Sequence, residues 1–236
     1  MKTTRKILSI CLSILMIVGI TISGTMAFEL IQQNISVLSN EQSGNVKVAL
    51  VQQSDIKNED FQLLPVREGL SEAQIVESGQ HSRHLIFAKN TGTTEAYIRV
   101  AFAIPASLDT ANAEGKKALH VIESSSDKWS DVLLKQNVTV NGVVCNVYLY
   151  TYTGVLAASA ETQDSPISGF YLDNAVTNSA DGYFLGNTRL EVSEDGKFNV
   201  PAAVQALNTQ SAGSASEAFS TVALPTFQPR ENQQTN

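Results

Sequence analysis

Cysteine is nearly absent from this chain. Only Cys11 and Cys145 occur. Cys11 lies in the N-terminal apolar run, so without that run Cys145 stands alone and no intramolecular disulfide can brace the fold. Cys145 sits in the alternating stretch Val143–Tyr148 with no base or cationic neighbour in sequence. That setting suits a small buried hydrophobe better than a thiolate nucleophile. Histidine is scarce too, limited to His81, His84 and His120. No His-Glu-x-x-His pair occurs, which removes the helical zincin arrangement. On a strand His81 and His84 point to opposite faces, so a metal site would need His120 with carboxylates from distant segments. Gly-x-Ser-x-Gly is missing, and with it the usual strand-to-helix nucleophile turn. The carboxylate pairs Glu191/Glu194 and Asp173/Asp181 fall in polar, turn-rich stretches and read as solvated charge, with no EF-hand ligand pattern around them. The expectation is no catalytic residue, no metal ligand set and no cofactor.

Basic residues are also in deficit, 16 against 23 acidic ones, for a net charge of −7. Three of the 16 (Lys2, Arg5, Lys6) precede residue 28 and none of the 23 does, so a chain starting at Phe28 carries about −10. Nucleic acid and an anionic membrane are therefore not expected as partners. Long apolar runs are missing except one, Ile7 to about Ile22, which follows that basic start. Small residues come next, with Thr25 and Ala27 at −3 and −1 before Phe28. This is the layout of a secretory signal peptide over residues 1–27, a signal helix removed on export. An uncleaved anchor is the alternative, although the run is short for a membrane span. Two look-alikes fail. Ile10 is not small enough for a lipoprotein box at Cys11, and no apolar span follows Leu224-Pro225-Thr226-Phe227 as a sortase signal requires. The expected location is extracellular, in a matrix or at the cell surface. A signal peptidase is the partner during export, and no membrane contact remains after cleavage.

What is abundant is strand signal. Asn45–Val51 places Val46, Val48 and Leu50 on one face, and His81–Ala88 alternates. Glu95–Ile104 puts Ala96, Ile98, Val100, Phe102 and Ile104 on one face and Tyr97, Arg99, Ala101 and Ala103 on the other, read as one buried and one half-exposed face. Between these last two runs Lys89–Thr94 is rich in turn formers, and the spacing predicts an antiparallel hairpin. Asn141-Gly142 between Val138–Val140 and Val143–Tyr152 predicts a second hairpin, since both residues tolerate the positive φ of a type I′ turn. Tyr148, Tyr150 and Tyr152 form a stripe, better explained as cross-strand packing than as a ligand platform. A strand is expected near Phe170–Leu172 and another over Phe198–Ala206, with a helix over Ala202–Leu207 as the alternative. Ser214-Ala215-Ser216-Glu217 matches a capping box and predicts a helix over about 215–222. The fold class is all-β, an antiparallel jelly-roll-like β-sandwich with short helices. Residues 28–44 form an N-terminal strand or donor segment, 45–224 the sandwich domain and 225–236 a disordered tail.

Several of these residues carry a resemblance. Gly24-Thr25-Met26-Ala27-Phe28-Glu29 resembles the junction of bacterial proteins processed by the SipW-type signal peptidase, with Phe28 one residue closer to Ala27 than is usual there. Gly44-Asn45-Val46-Lys47-Val48-Ala49-Leu50 is similar to the strand that commonly follows. Lys89-Asn90-Thr91-Gly92-Thr93-Thr94-Glu95-Ala96-Tyr97-Ile98-Arg99-Val100 resembles the Lys-Asn-x-Gly…Ala-Tyr-x-Arg-Val hairpin of the TasA/CalY (camelysin-like) family, through Lys89, Asn90, Gly92, Ala96, Tyr97 and Arg99. Val200–Gln205 and Ala218-Phe219 are similar to that family's C-terminal region. The resemblance implies a jelly-roll sandwich and a SipW-dependent biofilm-matrix fibre subunit. Such subunits join identical copies by strand donation, with an accessory matrix protein as a further candidate partner. It also implies an alternative, since camelysin-like members have been labelled surface metalloproteases.

Strand donation needs an extended segment with apolar teeth. Phe28–Leu38 offers Phe28, Leu30, Ile31, Ile35, Val37 and Leu38, and Ile31, Ile35 and Val37 share one strand face, interrupted by Gln33. No Pro or Gly interrupts it before Gly44, so nothing forbids ladder bonding. The same pattern fits an ordinary first strand of its own domain. A monomeric cell-surface adhesin or binding module is therefore the structural alternative to a fibre subunit.

Overall fold

A computed structural model describes residues 28–29, 46–54, 65–179, 182–190 and 198–227. Thr25, Ala27 and the donor residues Leu30, Ile31, Ile35, Val37 and Leu38 lie outside the described residues. In chain order the elements are β1 Phe28–Glu29, β2 Val48–Ser54, α1 Glu72–Glu77, β3 Ser82–Asn90, β4 Ala96–Pro105, α2 Ala106–Asp109, β5 Leu119–Glu123, β6 Leu133–Val140 and β7 Val143–Thr151. They continue with β8 Ile167–Leu172, β9 Val176–Ser179, β10 Gly182–Leu185, β11 Thr188–Arg189, β12 Phe198–Asn199, β13 Ala202–Asn208, a 3₁₀ turn at Thr209–Ser211 and α3 Ala215–Ser220.

The protein is mostly β, with few and short helices. Two four-stranded antiparallel sheets dominate: sheet I in the order β13-β4-β7-β6 and sheet II in the order β2-β3-β8-β5. Small sheets β11-β10-β9 and β1-β12, with isolated bridges such as Pro65 to Leu172, add to the pairing among the described residues. The Asn141-Gly142 hairpin joins β6 to β7, with φ of 50° and 84° at its two central residues. Sheets I and II share one apolar core. Ile98, Val100, Phe102, Tyr150 and Val204 from sheet I pack with Leu50, Ile86, Leu119 and Phe170 from sheet II. Burying each large side chain of this set stabilises the fold by roughly 1.5–3 kcal/mol before the entropy cost of ordering is counted.

Four expectations are corrected. The turn after β3 does not make a hairpin: β3 pairs with β2 and β8, whereas β4 pairs with β13 and β7. The segment 91–95 instead crosses from sheet II to sheet I. The turn chemistry is local and is as expected; what differs is which strands claim the edges of β3. The second face of β4 is not half-exposed. Tyr97, Arg99, Ala101 and Ala103 are all buried. Ala101 and Ala103 pack with Cys145, Val147, Leu149 and Phe227, and Tyr97 packs with Leu207, Ala218 and Phe219. The C-terminal segment supplies this cover, so the tail does not begin at residue 225. Pro225 and Phe227 are buried, and residues 228–236 lie outside the described set. Finally, Phe198–Ala206 is not one strand but β12 and β13, separated at Val200-Pro201. Proline lacks the ladder donor, and Val200, Ala202, Val204 and Ala206 still share the inward face.

Candidate functional site

A cluster of buried polar side chains lies where β7 meets α2. Pro105 ends β4, and the single turn of α2 brings Asp109 beneath the inward face of β7. The Asp109 carboxylate is only 3% exposed. Tyr148 OH donates to its Oδ1 at 2.6 Å, Lys117 Nζ donates to Oδ1 at 2.9 Å, and Asn146 Nδ2 donates to Oδ2 at 2.6 Å. A buried carboxylate without such donors would be strongly unfavourable. Next along the stripe Tyr150 OH donates to Glu123 Oε1 at 3.2 Å. Burial, reinforced by these carboxylates, pushes both phenols well above the usual tyrosine range, so they act as neutral donors. The site opens into a cleft of about 420 Å³ also lined by Glu72, His120 and Glu123. In the same lining, His120 Nε2 is hydrogen-bonded to Asp173 Oδ2 at 3.1 Å and its ring stacks on Tyr171 at 4.6 Å.

The hairpin residues named from the sequence are brought into two structural clusters. Asn90 Nδ2 donates to the carbonyls of Thr94 and Leu156, and Asn90 Oδ1 accepts the Gly92 N–H at 2.9 Å. Ala96 exchanges backbone hydrogen bonds with Leu156, and Lys89 is exposed at a bridge to Glu161. Asn90 thus shapes the inter-sheet crossing. Arg99 belongs to a different cluster. Its guanidinium donates to Gln205 Oε1 and to the carbonyls of Phe219 and Ala223, and lies 4.6 Å from the Phe219 ring centroid. Tyr97 OH donates to the Ala212 carbonyl at 3.2 Å. Both side chains hold the C-terminal segment on sheet I. Phe28 lies in β1, in a two-residue parallel ladder with β12. Cys145 is buried on the outer face of β7.

Comparison with protein-family models, with curated proteins and with solved structures gave no match.

Among the described residues no three of His, Cys, Asp and Glu are gathered as a metal ion would need. No helix among them is long and apolar enough to cross a membrane. The Asp109 centre itself was not expected from the sequence. The available signal was that Asn146 shares a strand face with three tyrosines in an otherwise apolar run. The pattern of one strand says nothing about the carboxylate opposite.

His84 provides a pH prediction. It is buried on the inward face of β3, edge-on to Phe170 at 6.1 Å, and burial lowers its pKa to about 4. The folded value lies below the unfolded value of 6.5, so between the two the unfolded chain binds the proton and the folded chain does not. Stability is then complete above pH 6.5 and falls as pH drops toward about 4, by about 3 kcal/mol from this group. Urea unfolding at both ends of this range should show His84→Leu losing about 3 kcal/mol less than the parent chain. Equal acid losses in the two proteins would refute the assignment.

Proposed function

We propose that this chain is an exported structural subunit of an extracellular matrix, a TasA-like biofilm-type fibre protein. Phe28–Leu38 of one copy completes a sheet edge of the next. The observation that carries this reading is the edge strand β6. It pairs only with β7 among the described residues and exposes Leu133 and Leu134, with Leu133 51% exposed. An edge strand paired on one side only and exposing apolar side chains is a template for strand addition. Val143 and Val144, at the start of β7, extend the exposed apolar surface.

The sheet order supports the jelly-roll reading. Following neighbours within each sheet and stepping across the β13/β2 contact, the order is β5, β8, β3, β2, β13, β4, β7, β6. The same order, closed between β6 and β5, is what a jelly roll of two Greek keys would give. The described core begins at Val46, so a chain starting at Ser39 retains every described core residue. The test is therefore electron microscopy of residues 28–236 beside residues 39–236, with circular dichroism to show that both are folded. Filaments from the longer chain alone are expected. Filaments from both would sink strand donation by this segment. Monomers from both would favour the binding module, a reading supported by the groove of about 570 Å³ between α3 and β6, where Arg99, Asp131 and Leu133 meet Phe219.

A further inference from the structure

Lys117, Asp109 and Asn146 come from three separate segments: the approach to β5, the end of α2 and the inward face of β7. A single carboxylate joins them, holding the amine on Oδ1 at 2.9 Å and the amide on Oδ2 at 2.6 Å. The other amide atom is engaged as well. Asn146 Oδ1 accepts the backbone N–H of Asn137 at 3.3 Å. That N–H sits at the irregularity of β6 between Lys135 and Val138, where Asn137 adopts a φ of 56°. Tyr148 OH fixes the carboxylate at 2.6 Å, and Asp109 and Asn146 are both buried. An ion pair between Lys117 and Asp109 requires neither the amide nor the oriented N–H. Together these groups are an amine nucleophile, a proton carrier, an acyl carbon and a donor to the oxygen on which charge develops.

The geometry points to a self-formed amide cross-link between Lys117 Nζ and Asn146 Cγ. Asp109 takes a proton from the Lys117 ammonium along their hydrogen bond, leaving a neutral amine. Nζ attacks Cγ, and the carbonyl electron pair moves onto Oδ1, where the Asn137 N–H stabilises it. Asp109 then gives its proton to Nδ2 and receives one from Nζ. The Oδ1 electrons return, the Cγ–Nδ2 bond breaks, and ammonia leaves through the cleft. It carries away as ammonium the proton left on Asp109. One C–N bond forms and one breaks, and the carboxylate is regenerated without oxidant or cofactor. Holding the reactants on one carboxylate supplies the effective concentration that a bimolecular amide exchange lacks. The product ties β7 of sheet I to the segment entering β5 of sheet II, a covalent staple between the two sheets.

The experiment is mass spectrometry of purified residues 28–236, intact and after trypsin. The expected protein is lighter than its sequence mass by about 17 Da, the ammonia lost. Trypsin should fail to cut after Lys117, and the peptide bearing Lys117 should be joined to the one bearing Asn146. Lys117→Arg keeps the charge at a partly exposed position and should restore the full mass. Asp109→Asn keeps amine and amide but removes the carrier, and should also restore it. Full mass with separate Lys117 and Asn146 peptides in the parent chain would overturn the proposal. A loss of about 18 Da, the mass of water, would place the bond on Asp109 and overturn the role given to Asn146.

Discussion

Gly169→Ala is expected to abolish stable folding, or to cost at least about 3 kcal/mol where any folded protein is recovered. Gly169 lies in β8, at the middle of sheet II, opposite Arg83 on one side and Ile122 on the other. A Cβ there would sit 2.2 Å from the Ser82 carbonyl oxygen, 3.1 Å from its carbon and 3.2 Å from Arg83 Cα. All three atoms are backbone, so no side chain can swing aside. Retreat of β3 would break its bonds to β2 and β8 together. The φ of 159° adds little, since it lies close to ordinary extended backbone. Gly115→Ala is the informative control. It has open space around it and a φ of 77°, so only backbone strain of about 1 kcal/mol is expected. Denaturant unfolding of the two variants beside the parent chain reads the difference. Equal midpoints for Gly169→Ala and Gly115→Ala would show that the close approach of β8 to β3 does not exist.

Arg99→Ala is expected to cost about 3 kcal/mol and to release the C-terminal segment before the sheets melt. The buried guanidinium reaches the carbonyls of Phe219 and Ala223 and the Gln205 side chain, and stacks on Phe219. Truncation removes the guanidinium donor from all three acceptors, although Ala223 O keeps Gln205 Nε2 and Phe219 O keeps the Val222 N–H, and it removes the cation–π contact, worth about 1–2 kcal/mol when desolvated. Arg99→Lys keeps a charge but cannot reach two carbonyls and an amide from one planar fork. It should recover only part of the loss. Burial lowers the Arg99 pKa to about 10, which still leaves it protonated at neutral pH. Hydrogen exchange over residues 212–227 is the decisive measurement. Fast exchange there, with sheet II still protected, is the expected pattern. Uniform loss of protection would mean that Arg99 supports the whole sandwich rather than its C-terminal cover.

These two positions also show how unevenly the structure could be read in advance. Arg99 stands out in the sequence through the motif around it, and its partner in register is Gln205. Its burial was not legible, because Tyr97, Arg99, Ala101 and Ala103 are neither strongly apolar nor strongly polar as a set. Their state depends on α3 and on Leu224 and Phe227, which lie more than a hundred residues later. Gly169 carried no signal at all, since a glycine inside a strand can mean a bulge, a bend or a close approach.

The sequence by itself determined the local elements. Alternation located β2, β4, β7 and β13, the Asn141-Gly142 pair located one turn, and Ser214 with Glu217 located α3, because each rests on neighbours a few residues apart. All-β character follows from their sum. Only the tertiary structure decided which strands pair. Asn90 and Gly92 make the same tight turn whether the chain returns beside itself or crosses to the other sheet. That choice depends on β2 and β8 competing for β3, a balance of long-range contacts that no local pattern contains. The same holds for the Asp109 centre. Lys117, Asn146 and Tyr148 acquire chemistry only when folding removes water from the carboxylate that gathers them.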